Sequence, residues 1–115
     1  MVGRSVRRFV LASPKKLKPL MELIRGRSVS EAYWLLEGNA KRRLSTHVMK
    51  TLKAAVASYR EKAGTDARPD DELVVRTAKV DRGPILKRWR PAWRGRAVMR
   101  RRRMSHITIE VAEAE

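Results

Sequence analysis

Residues 82–103, RGPILKRWRPAWRGRAVMRRRR, hold ten basic side chains and no acidic one. So few apolar side chains give neither a helix stripe nor a strand face worth burying, and the like charges repel any compact arrangement. Gly83-Pro84, Pro91 and Gly95 break a continuous helix. Both flanks read as strands. Residues 72–81 place Val74, Ala78 and Val80 on one face, and HITIEV alternates so that Ile107, Ile109 and Val111 point inward. The simplest connection is a long β-hairpin with its tip near Pro91 to Gly95. At about 3.3 Å per residue, arms of ten residues would project it roughly 30 Å. An isolated two-stranded ribbon is marginal even with an apolar face. Such an arm needs a partner to hold its shape.

The rest of the chain supplies the body. SVRRFVLA alternates as a short strand over residues 6–11. Ser13-Pro14 then opens a helix, with serine as N-cap and proline at the first helical position. Leu17, Leu20, Met21 and Ile24 follow at helical spacing, and Gly26 can close it. Pro19 conflicts with that pattern and should kink the helix or force a restart. Ser28 and Glu31 form a capping box for a second, short helix with stripe Val29, Ala32, Tyr33 and Leu36, ended by Gly38. Trp34 lies off the stripe and reads as a partly exposed cover for the core, with RNA stacking as the lesser alternative. A third helix over residues 41–62 carries Leu44, Val48, Leu52, Ala55 and Tyr59 inward and an almost wholly basic outer face of Arg42, Lys53 and Arg60, with Arg43 and Lys50 beside them. A charged outer face is usually only solvated; here phosphate contact is an equal reading. Together these segments predict an α+β fold, a small antiparallel sheet packed against three helices with a long projecting β-hairpin.

At 115 residues the chain is one domain, with a body at about 1–81 and 104–115 and an extended basic hairpin at about 82–103. Its net charge of +16 calls for a polyanionic partner. The charge is uneven, for residues 65–81 carry three bases against five acids while the next 22 residues carry ten against none. The longest apolar run, residues 32–36, is far too short to cross a membrane. No cysteine is present, so thiolate metal sites and disulfides are excluded. The first 21 residues carry three arginines and no acid, a faint likeness to a transit peptide. The strand pattern followed at once by helix signals argues instead for a mature N-terminus.

Enzymatic chemistry finds no support. His47 and His106 lack ligand-spaced partners, no glycine-rich phosphate loop joins a strand to a helix, and Asp70, Asp71 and Glu72 read as a solubilising loop. No catalytic residue, cofactor or metal is expected. The basic segment is more specific in kind: only Lys87 of its ten cations is lysine. Arginine forks two hydrogen bonds to phosphate and stacks on bases, which suits irregular RNA, and Trp89 and Trp93 add stacking platforms. No helix-turn-helix or zinc finger offers a helix for the DNA major groove. An amphipathic membrane helix is likewise absent.

Three ordered motifs carry a family resemblance over nearly the whole chain. SPKKLKPLMELIRGRSVSEA, VDRGPILKRWRPAWRGRA and RRMSHITIEVAE resemble the opening helix, hairpin entry and closing strand of large-subunit ribosomal protein twenty-two of bacterial type. The resemblance implies a structural, non-enzymatic protein of the cytoplasmic ribosome that binds large-subunit ribosomal RNA and aids assembly. It also implies neighbouring large-subunit proteins as partners, no membrane, and a hairpin reaching the wall of the nascent-peptide exit tunnel, where it would meet the nascent peptide. Phosphate neutralisation would then fall to Arg82, Lys87, Arg88, Arg90, Arg94, Arg96, Arg100, Arg101, Arg102 and Arg103, with Lys15, Lys16 and Lys18 anchoring the body. Trp89, Pro91, Ala92, Trp93 and Gly95 are the tunnel-tip candidates. The chain departs from the family pattern at Pro19, at Ser58-Tyr59 in place of a common asparagine-alanine, and at Ala92-Trp93 in place of a frequent arginine-alanine. A free-standing RNA- or DNA-binding basic protein is the alternative.

Overall fold

The computed structural model describes residues 1–114. In chain order the elements are β1 (Val2–Val10), α1 (Pro14–Ile24), α2 (Val29–Glu37), α3 (Arg42–Ala63), β2 (Leu73–Pro91) and β3 (Ala97–Glu113). Single 3-10 turns fill Gly64–Asp66, Asp70–Glu72 and Trp93–Gly95. The sheet is antiparallel in the order β1-β3-β2, so the last strand runs down its middle. The expected α+β architecture is what the chain adopts.

The core lies between one sheet face and the helices. Leu17, Leu20, Met21 and Ile24 of α1, Val48, Leu52, Ala55 and Tyr59 of α3, and Ile107, Ile109 and Val111 of β3 are all buried in one cluster. Burying each large side chain contributes about 1.5–3 kcal/mol, which makes these stripes the main stabilising term. β1 lies close against α3. A Cβ built on Gly3 would sit 2.3 Å from the Ala55 carbonyl oxygen and 2.6 Å from the Tyr59 backbone nitrogen. At the far end the Tyr59 hydroxyl donates to Glu113 at 2.8 Å and accepts from the Arg68 backbone N–H at 3.2 Å. Helix α3 is thereby tied to the end of β3.

Several local expectations need correction. Helix α1 runs unbroken through Pro19, which is exposed. The carbonyl that loses its partner there, on Lys15, also lies on an exposed residue, and the buried side chains on both sides of Pro19 hold the helix against the core. The capping box is half formed: Ser28 accepts from the Glu31 N–H at 3.3 Å, but the Glu31 carboxylate turns to Arg27 at 2.6 Å. Trp34 is 73% exposed rather than a cover for the core. In β2 the inward residues are Leu73, Val75, Ala78 and the partly buried Val80, not Val74. A bulge between Val75 and Thr77 shifts the side-chain parity, so inward residues are odd-numbered before it and even-numbered after it. Val75 also exchanges backbone hydrogen bonds at 2.9 Å with Gly26 and Arg27, pinning the α1–α2 connection to this strand.

From Arg82 to Arg103 neither β2 nor β3 buries a side chain against the helices. Their pairing shifts at Gly83-Pro84 and then runs regularly from Ile85 opposite Arg103 to Pro91 opposite Ala97. The molecule consequently measures 65 × 25 × 16 Å along its principal axes.

Candidate nucleic-acid interface

Strand periodicity sorts the hairpin side chains onto two faces, because opposed residues of a ladder share a side. One face carries Leu86, Arg88 and Arg90 with Val98, Arg100 and Arg102; the other carries Ile85, Lys87 and Trp89 with Met99, Arg101 and Arg103. The first is a field of guanidinium groups. The second mixes cations with a short apolar row that stays largely open, with Ile85 at 48% and Trp89 at 67% exposure. Lys87 directly opposes Arg101, and Arg88 directly opposes Arg100. Like charges placed this way destabilise a ladder. Among the described residues the ion pairs are Arg4–Glu110, Arg27–Glu31, Arg60–Asp70 and Arg68–Glu113, so none engages the hairpin. Its cations face outward with no acid to offset them.

The tip is a turn of defined shape. Arg94 and Gly95 both take left-handed backbone angles, at φ 56° and 71°. Glycine adopts this conformation freely, whereas arginine is strained in it. The Arg94 guanidinium lies 4.2 Å from the centre of the Trp93 ring, a cation–π contact on an indole that is itself 78% exposed.

At the root of the hairpin the structure assembles something the linear pattern does not show. Lys16 from the first turn of α1, Arg43 from the first turn of α3, and Arg101, Arg102 and Arg103 of β3 line one open cleft of about 520 Å³ with Leu11, Ala12, Ser13 and Leu44. Among the described residues, none that lines it is acidic. Arg43 is steadied by donating to the Leu11 carbonyl at 3.2 Å, and the buried Ser105 hydroxyl donates to the Ala12 carbonyl at 2.6 Å, fixing β3 against the β1–α1 connection. Lys15 and Lys18 are exposed on α1 but do not line the cleft. Arg82 is exposed opposite Ser105, and Arg96 closes the tip turn. Arg43 stands outside the set of cations that the sequence singles out for phosphate; its place on the basic face of the third helix is the signal that points to it.

His47 also lies on α3. Burial, followed by the fields of Arg7, Arg43 and Lys50, holds its pKa below the ordinary histidine value. Among the described residues there is no group of acidic, histidine or cysteine side chains able to hold a metal, and no helix is long and apolar enough to cross a membrane.

Comparison with known proteins decides the family. The model for "Ribosomal protein L22p/L17e" matches residues 5–112, which takes in all three helices, the whole hairpin and all but the outer ends of β1 and β3. The chain belongs to this ribosomal protein family. Large ribosomal subunit protein uL22 of Thermoanaerobacter sp. (strain X514) is 42% identical over 115 residues, covering 100% of both chains. The protein of that name from Chlorobium phaeobacteroides (strain BS1) is 40% identical over 111 residues, covering 96% of this chain and 94% of its own. That of Clostridium novyi (strain NT) is 36% identical over 113 residues, 98% of each. As an L22p/L17e protein the chain is a structural component rather than an enzyme.

Proposed function

We propose that this L22p/L17e protein binds ribosomal RNA in the large subunit, aids its assembly and carries its hairpin to the wall of the nascent-peptide exit tunnel. The observation that carries the reading is the hairpin itself: ten cations without an acidic partner among the described residues, on a ribbon that buries no side chain against the body. RNA phosphates supply the missing counter-charge. The root cleft clamps one stretch of RNA backbone between Lys16, Arg43 and Arg101, Arg102 and Arg103. The guanidinium face of Arg88, Arg90 and Arg100 tracks a second stretch, while Lys87 and Trp89 offer charge and a stacking surface on the other side. Arg82, Arg94 and Arg96 extend the contact to both ends of the arm, and Lys15 and Lys18 add to it from the body. Neighbouring large-subunit proteins and the nascent peptide are the remaining partners.

The tip serves the tunnel more than attachment. Deleting Pro91, Ala92 and Trp93 removes one aromatic platform and no cation, so the electrostatic part of RNA affinity is unchanged. The expected result is near-normal incorporation into large subunits, measured by gradient sedimentation, with altered response to macrolide antibiotics or to stalling nascent peptides. Loss of incorporation would place the tip among the assembly contacts. Normal incorporation with unchanged drug and stalling responses would show that Trp93 does not face the tunnel.

A further inference from the structure

The helices cover only one face of the sheet, and the bare face carries a feature that folding does not explain. Between Arg7 and Val10 the pairing of β1 with β3 is interrupted, and within that bulge Phe9 takes a left-handed backbone conformation at φ 58°. For a bulky aromatic residue this is a strained state. The strain does not bring burial, since the ring remains 60% exposed. Two interactions hold it in place. The ring meets His106 edge-to-face, with centroids 5.2 Å apart at 87°, and the Phe9 N–H donates to His106 Nδ1 at 3.1 Å. That bond uses His106 Nδ1 as an acceptor and so fixes the imidazole against the Phe9 backbone.

The pair stands in a shallow cleft of about 320 Å³ lined also by Arg4, Val6, Arg8, Lys79, Asp81 and Thr108. Three cations face one acid there. Arg4 is partly engaged by Glu110 at 3.6 Å, which leaves Arg8 and Lys79 as the freer pair. An exposed aromatic face fixed by a second ring and flanked by cations has the chemistry of a single-strand RNA site: a base stacks on the ring and the adjoining phosphates meet the cations.

We infer that Phe9 and His106 form a stacking platform for one unpaired RNA base, with Arg8 and Lys79 holding the flanking phosphates. This second site lies on the face of the sheet away from the helices and is separate from the hairpin. It rests on the RNA-binding reading above, and its mechanism differs from that of the hairpin in a measurable way. Stacking is insensitive to salt, whereas phosphate neutralisation is not.

The test measures affinity of the full-length protein for single-stranded oligoadenylate as a function of salt, alongside thermal stability. Phe9→Asn removes the ring but suits the left-handed backbone. It should weaken binding about tenfold, leave the salt slope unchanged and leave the melting temperature at or above that of the parent, while Phe9→Tyr retains binding. Arg100→Gln, Arg101→Gln, Arg102→Gln and Arg103→Gln combined should instead flatten the slope. Unchanged affinity of Phe9→Asn would overturn the platform, as would a loss of affinity accompanied by lower stability. If the arginine variant alone fails to alter the slope, the hairpin reading falls while the Phe9 result still judges the platform.

Discussion

Replacing Arg100, Arg101, Arg102 and Arg103 together with glutamine should lower affinity for large-subunit RNA by about 100- to 1,000-fold near 0.1 M salt. Neutralising a phosphate releases condensed counterions, so each cation removed also makes the logarithmic salt dependence shallower, by roughly 0.7–0.9. Removing four should flatten it by about three. Three of these residues line the root cleft with Lys16 and Arg43, and Arg100 and Arg102 share the guanidinium face of the ribbon. The fold should survive, because none of the four is buried and none takes part in an ion pair among the described residues. Removing directly opposed like charges should if anything stabilise the free ribbon. Affinity measured by filter binding at several salt concentrations checks both effects. A weakened affinity with an unchanged slope would mean that these side chains do not neutralise phosphates.

Gly3→Ala should cost about 3 kcal/mol, a fall in melting temperature of roughly 10 °C or more. The new methyl group would stand 2.3 Å from the Ala55 carbonyl oxygen and 2.6 Å from both the backbone nitrogen and Cβ of Tyr59. Two of these three neighbours are backbone atoms of α3, so no side-chain rotation can make room. Either β1 must lift from the helix or its pairing with Val111 must distort. Tyr59 is fully buried and anchors Glu113, so the damage would spread to the end of β3. Gly38→Ala is the matched control. Its backbone angle is ordinary, at φ −80°, and the nearest atom to an added Cβ is 3.6 Å away. Urea unfolding of both variants provides the comparison, and equal stabilities would mean that β1 and α3 are not in close contact.

How far the sequence could be read depends on which physical signal each feature leaves. Helical stripes are strong signals because one apolar face must meet the core; Leu17, Leu20, Met21 and Ile24, and again Val48, Leu52, Ala55 and Tyr59, are all buried where periodicity puts them. The alternation of Ile107, Ile109 and Val111 was equally legible. The hairpin could be inferred from what it lacks, an apolar face. The bulge in β2 was not legible, because one extra residue near Arg76 changes side-chain parity without any marker such as glycine. Pro19 misled in the opposite sense: a strong local breaker was overridden by packing on both sides of it. The root cleft was half visible. Lys16 and Arg101 to Arg103 stood out as charge, but their meeting with Arg43 depends on how α3 crosses the hairpin root, which no linear spacing encodes. Phe9 gave no signal at all, since an aromatic residue at a strand end ordinarily reads as core.

The central claim is that RNA, rather than the protein core, holds the arm in shape. Hydrogen exchange of backbone amides 85–103, compared between the free protein and the assembled large subunit, tests this most directly. The free protein should exchange these amides rapidly while Ile107 and Ile109 stay protected, because the ribbon buries no side chain and opposes cation to cation. In the subunit the same amides should become as slow as the core. Arm amides already protected to the level of Ile107 and Ile109 in the free protein would contradict the account.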